Sequence, residues 1–221
     1  DWDVRGLCDH LARVYQGRGY VIEHAAFKDQ DAFELRGDDE DPIEFVQRWS
    51  AALVAALADR ADDAPTVTFI PEAKTVHFWR RRMALETLVH RTDAELAVGT
   101  VSAMDDVLSA DGVDELLWFC AEDDEPEQGS EHDEGISSTS TVLLTDGTRE
   151  WLVTLSVEGA SWVRGDGPAD ATVRGAAPAL LLALSGRDLE GIGPSRFGVA
   201  APVVEGDPAA YDRLRRRLGA F

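Results

Sequence analysis

The segment RRMALETLVHRTDAELAVG, residues 81–99, reads as the middle of a helix, yet it places Glu86 and His90 one turn apart. At ~100° per residue, Trp79, Met83, Glu86 and His90 fall within an arc of roughly 60°. That arc borders an apolar stripe of Phe78, Leu85, Leu88, Val89 and Leu96, so the carboxylate and the imidazole are expected to point inward. Burying both costs several kcal/mol unless they are paired or share a cation. Separated by about 6 Å of helical rise, they can converge on one ion.

A metal with catalytic capacity needs a third ligand, and the chain has five histidines: His10, His24, His77, His90 and His132. His132 lies in an acidic stretch, His24 in a stretch of poor periodicity, and His77 on a different face of the helix from His90. His10 remains, mid-helix beside Leu7, Leu11 and Val14. Two histidines and one carboxylate drawn from two helices, with coordination positions left open, form a pattern suited to Zn²⁺ or a similar divalent ion. The spacing equally accommodates a buried Glu86–His90 hydrogen-bonded pair with His10 as an independent core histidine.

The elements that must position these residues are helical. VRGLCDHLARVY carries Val4, Leu7, Cys8, Leu11, Val14 and Tyr15 at helix spacing behind a capping Asp3. Asp41, Pro42 and Glu44 open a second helix with a stripe through Phe45, Val46, Trp49, Leu53 and Leu57. The long helix is expected from about Val76 to Val98, and a shorter one across GVDELLWFCAE. These four make residues 1–121 a helical bundle. The acidic AEDDEPEQGSEHDEG segment lacks an apolar period and reads as a linker over residues 122–137. Beyond it the period changes to two: strands separated by Asp146-Gly147 and Glu158-Gly159 turns, a strand in DATVRG, a helix in APALLLALSGR, and a last helix capped by Asp207 with Pro208 at its start. Residues 138–221 are therefore a small α+β domain, and the chain as a whole is α+β.

Composition narrows the function. Forty-two acidic against 21 basic residues give a net charge of −21, which disfavours nucleic acid and anionic membrane surfaces as partners. No apolar run approaches the ~20 residues of a membrane span and no signal segment opens the chain, so the expected location is cytoplasmic. Two cysteines, Cys8 and Cys120, suit a reducing compartment as core thiols. Lysine is nearly absent and arginine abundant, pointing to a GC-rich source.

DWDVRGLCDHLARVY, FWRRRMALETLVHRTDAELAVG and ADGVDELLWF together resemble the mycothiol-dependent maleylpyruvate isomerase family, within the DinB-like metal-binding four-helix bundles. REWLVTLSVEG, GDGPADATVRGAAPALLLALSGR and VVEGD resemble that family's second, sterol-carrier-like domain. The resemblance implies a divalent metal, usually zinc, held by His10, Glu86 and His90, and mycothiol, the small thiol of actinobacteria, as cofactor. It also implies a further helix ahead of the segment matching DWDV, so that either residues precede Asp1 or the bundle is completed another way.

The implied activity is that of a zinc- and mycothiol-dependent isomerase or thiol transferase acting on a small electrophile, in a monomer or homodimer. A non-catalytic metal- or ligand-binding module and a metal-activated hydrolase are the alternatives. Neither cysteine is placed as a nucleophile, so the thiol is expected from outside. Arg82 and Trp79, beside the ligand arc, are the expected cofactor contacts. An essential arginine from the second domain is implied, and Arg187, at a helix-to-loop junction, is the first choice ahead of Arg164 and Arg174.

Overall fold

The computed structural model of the 221-residue chain describes residues 3–99, 101–122, 139–187, 189 and 200–219. It divides into two compact units, Asp1–Ala97 and Val98–Phe221. The first is helical and the second α+β, the expected class and order. The proposed linker, residues 122–137, falls almost wholly outside the described residues, as does His132.

Three helices build the first unit: α1 (Val4–His24), α2 (Pro42–Ala58) and α3 (Val76–Ala97). The Asp3 side chain accepts the Gly6 amide at 2.8 Å and so caps α1. Asp41 does the same for α2 through the Ile43 and Glu44 amides, with Pro42 pre-set for the first turn. α1 packs on both α2 and α3. The core between them holds Ala12, Tyr15, Val21, Ile22, Phe45, Leu53, Phe78, Trp79 and Leu85, all buried. Buried Gln16 tethers the α1–α2 connection by a reciprocal pair, its Nε2 donating to Glu34 O at 2.9 Å and its Oε1 accepting the Glu34 amide at 2.8 Å. Gly17 lets Phe33 of that connection approach, since a Cβ there would stand 3.3 Å from the ring.

The second unit contains α4 (Asp106–Glu122), a five-stranded sheet, α5 (Ala177–Leu184) and α6 (Pro208–Leu218). Its strands are β1 (Ser140–Thr145), β2 (Glu150–Ser156), β3 (Gly159–Arg164), β4 (Ala171–Arg174) and β5 (Val203–Gly206), in the order β3-β2-β1-β4-β5. The β1–β2, β2–β3 and β4–β5 pairs are antiparallel, while β1 and β4 run parallel. Asp170 fixes that parallel pair by accepting the Thr141 amide at 2.8 Å. At the end of β5, Gly206 has φ +88° and a Cβ would meet Asp170 O at 2.3 Å, so only glycine fits. All eight residues of α5 are buried, and α6 turns Ala210, Tyr211, Leu214 and Leu218 inward.

By its contacts α4 groups with the second unit. Its residues, which the sequence places within the 1–121 segment, pack on α5, β3 and α6. Val113, Leu116, Leu117 and Cys120 are buried there. Asp114 supplies the polar reason: one carboxylate oxygen accepts the indole N–H of fully buried Trp151 at 2.7 Å, and the other pairs with Arg164. Among the described residues no helix is long and apolar enough to cross a membrane.

Candidate metal centre

His10 of α1 and Glu86 and His90 of α3 meet, and their ligand-type atoms all lie within 4.8 Å of one another. Both Nε2 atoms face the same oxygen: His10 Nε2 is 3.2 Å and His90 Nε2 3.3 Å from Glu86 Oε1. The imidazole rings stand edge to face with centroids 4.9 Å apart. Glu86 and His90 are buried, and His10 is about a third exposed along its side chain. The i, i+4 spacing on α3 thus works as the sequence suggested, with α1 delivering the third member.

Neighbouring side chains hold each member in place. Arg82, one turn before Glu86, donates from Nη2 to Glu86 Oε2 at 2.5 Å, leaving Oε1 to the histidines. Asp93, one turn after His90, lies 2.9 Å from its Nδ1, which directs Nε2 towards Glu86. A carboxylate behind a histidine is the usual outer partner of a metal-binding imidazole. Arg36 clamps Asp9, the residue before His10, with contacts of 2.7 and 3.0 Å. The Thr87 hydroxyl spends its only proton on Met83 O at 2.7 Å, so the Tyr15 hydroxyl 2.8 Å away must be the donor to Thr87. That bond ties α1 to α3 beside Glu86.

The electrostatics follow from this packing. Burial pulls Glu86 towards the neutral acid, but the hydrogen bonds from His10 and His90 and the charge of Arg82 outweigh it and hold its pKa well below the carboxylate range. Burial likewise opposes charge on His90, and its contacts with Asp93 and Glu86 overcome that and raise its pKa to about 9. A carboxylate kept ionised beside two convergent imidazole Nε2 atoms, one of them oriented by Asp93, fits a divalent cation in donor type, number and spacing.

The remaining residues singled out from sequence have the following surroundings. Trp79, expected at a cofactor, is fully buried; its indole N–H donates to Val67 O at 2.9 Å and its ring carries the Arg18 guanidinium at 4.8 Å. Arg187 lies in the second unit, where its Nη1 donates to Ser185 O at 2.5 Å and its side chain lines a cavity of about 280 Å³ with Tyr211 and Arg215. Arg164 pairs with Asp114 and Arg174 with Glu205. His24 ends α1 and His77 is exposed on α3. Sequence reasoning missed Asp93 and Arg18. His90-x-x-Asp93 is a readable i, i+3 spacing, whereas nothing local distinguishes Arg18 from other helix arginines.

The first unit is thus a helical domain built around a two-histidine, one-carboxylate cluster of the kind that holds divalent metals. Residues 1–95 match the family model described as the mycothiol maleylpyruvate isomerase N-terminal domain. No match to the chain is found among curated proteins.

Proposed function

We propose that the protein is a zinc-dependent isomerase or thiol transferase that uses mycothiol on a small electrophile in the cytoplasm of an actinobacterium. The observation that carries this reading is the convergence of His10, Glu86 and His90 inside a segment that matches the mycothiol maleylpyruvate isomerase N-terminal domain. A divalent ion bound there would lower the pKa of a coordinating thiol and favour its thiolate at neutral pH.

The chain's own residues define the rest. His10, Glu86 and His90 hold the ion, Asp93 fixes the His90 ring, and Arg82 keeps Glu86 ionised and oriented. Cys8 and Cys120 are both buried, and burial pushes the Cys8 thiol pKa up, which favours a thiol from solution over an internal nucleophile. Arg187 is assigned the recognition of an anionic group on thiol or substrate, for which a planar guanidinium is suited.

Turnover of a generic electrophile such as 1-chloro-2,4-dinitrobenzene, with and without mycothiol, tests the reading. Acceleration only with thiol and metal together is the expected result; turnover with water alone would make the protein a hydrolase, and none would make it a binding module. In the same assay Arg187→Ala is expected to keep metal and fold but lose about tenfold to a hundredfold in thiol-dependent turnover. An unchanged rate in the metal-loaded variant would remove Arg187 from the assignment.

A further inference from the structure

Beside the metal trio, and sharing His10 with it, lies a cavity of about 490 Å³ lined by Arg13, Arg18, Lys28, Phe27 and Phe33. Its charge is opposite to that of the protein around it. The chain has two acidic residues for each basic one, and Arg36, Arg48, Arg80, Arg82 and Arg164 are all ion-paired. Arg13, Arg18 and Lys28 make no ion pair among the described residues, and no carboxylate lines the cavity.

Arg18 is the best-built of the three. Its guanidinium stacks on the fully buried ring of Trp79 at 4.8 Å, which fixes the plane of its fork. Its Nε is buried and has no hydrogen-bond partner among the described residues. A buried guanidinium N–H without a protein partner is costly and calls for a water, an ion or a ligand to complete it. Lys28 Nζ lies 5.2 Å from the Tyr20 ring and 5.7 Å from the Phe33 ring, at the more exposed side with Arg13. Phe27 and Phe33 give the same cavity apolar wall. One face therefore offers cationic donors, another offers aromatic surface, and His10 joins both to the metal trio.

We propose that this cavity is the substrate subsite, taking an anion with an apolar body whose carboxylate sits at Arg18, Arg13 and Lys28 while its reactive end lies at His10. The assignment of the anion as substrate rests on the proposed function; the anion site itself does not.

Benzoate and benzamide, alike in shape and different in charge, test the site by ligand-observed NMR titration of the full chain stripped of metal and without thiol. The expected result is benzoate binding that is about tenfold tighter than benzamide binding and weakens with added salt. Arg18→Met should weaken benzoate about tenfold and leave benzamide unchanged, while Arg215→Met in the second unit should change neither. Because Arg18 is partly buried, the exposed double variant Arg13→Met/Lys28→Met provides an independent arm, with an expected loss of about threefold to tenfold. No benzoate binding, equal binding of the two probes, or benzoate affinity unchanged in both folded variants would overturn the proposal. Since metal and thiol are absent, these outcomes stand apart from the thiol-turnover assay. Benzoate binding without thiol-dependent turnover would leave an anion site and remove the catalytic reading, whereas turnover without benzoate binding would do the reverse.

Discussion

His90→Ala is expected to leave the protein folded and nearly devoid of divalent metal, with affinity reduced at least about a hundredfold. His90 is buried and its Nε2 shares Glu86 Oε1 with His10, so its loss leaves one imidazole and one carboxylate, too few for a structural or catalytic zinc site. A metal that binds only the folded state adds RT ln(1 + [L]/Kd), about 2.7 kcal/mol when free metal exceeds Kd a hundredfold. The melting temperature of wild-type protein should therefore rise on zinc addition and fall on chelation, while that of His90→Ala should respond to neither. Elemental analysis of both proteins checks the first half and thermal unfolding the second. Equal metal content would dismiss the trio as the site.

Glu86→Ala acts on the metal-free protein as well. Its two oxygens serve Arg82, His10 and His90, so alanine leaves a guanidinium and a protonated imidazole side by side in a buried place. Breaking a buried pair in this way costs about 3–5 kcal/mol. The sign of the pH dependence follows from the two shifts. Glu86 is depressed below its ordinary 4.5, so its share is present above that value and lost as pH falls through its folded pKa. His90 is raised from 6.5 to about 9, so its share is full below 6.5 and lost as pH rises through 9. In chelator-treated protein, the urea-unfolding gap between wild type and Glu86→Ala should be largest between these windows, near about pH 6, and should shrink above about pH 9. A gap that is absent at pH 6 or grows with pH would contradict the electrostatic account. Zinc affinity should follow the opposite course and rise with pH, because a ligating imidazole must be neutral.

The helical periods of α1, α2 and α3 were legible because each helix buries one face, and α1 and α2 start at readable caps: Asp3, and Asp41 followed by Pro42. The trio was legible for the same reason, since Glu86 and His90 occupy positions that packing would fill with apolar residues. The packing partners of α4 were not. Its apolar stripe suits a bundle or a sheet equally, and the deciding contacts, Asp114 with Trp151 and Arg164, span 37 and 50 residues. The parallel β1–β4 pairing and β5 were hidden likewise: register between distant strands leaves no local period, and β5 has four exposed residues instead of an alternating face. The full burial of Trp79 was also hidden, because proximity on the helical wheel does not reveal burial. Its ring carries the guanidinium of Arg18, which has its own place on α1 and no periodic signature.

The central claim, that the trio holds a metal at which an external thiol binds, is tested most directly by cobalt substitution. Cobalt(II) loaded into the zinc-free protein should bind one ion per chain, and adding mycothiol should produce a near-ultraviolet sulfur-to-cobalt charge-transfer band that His90→Ala lacks. Stoichiometric cobalt with no new band on adding thiol would contradict the account.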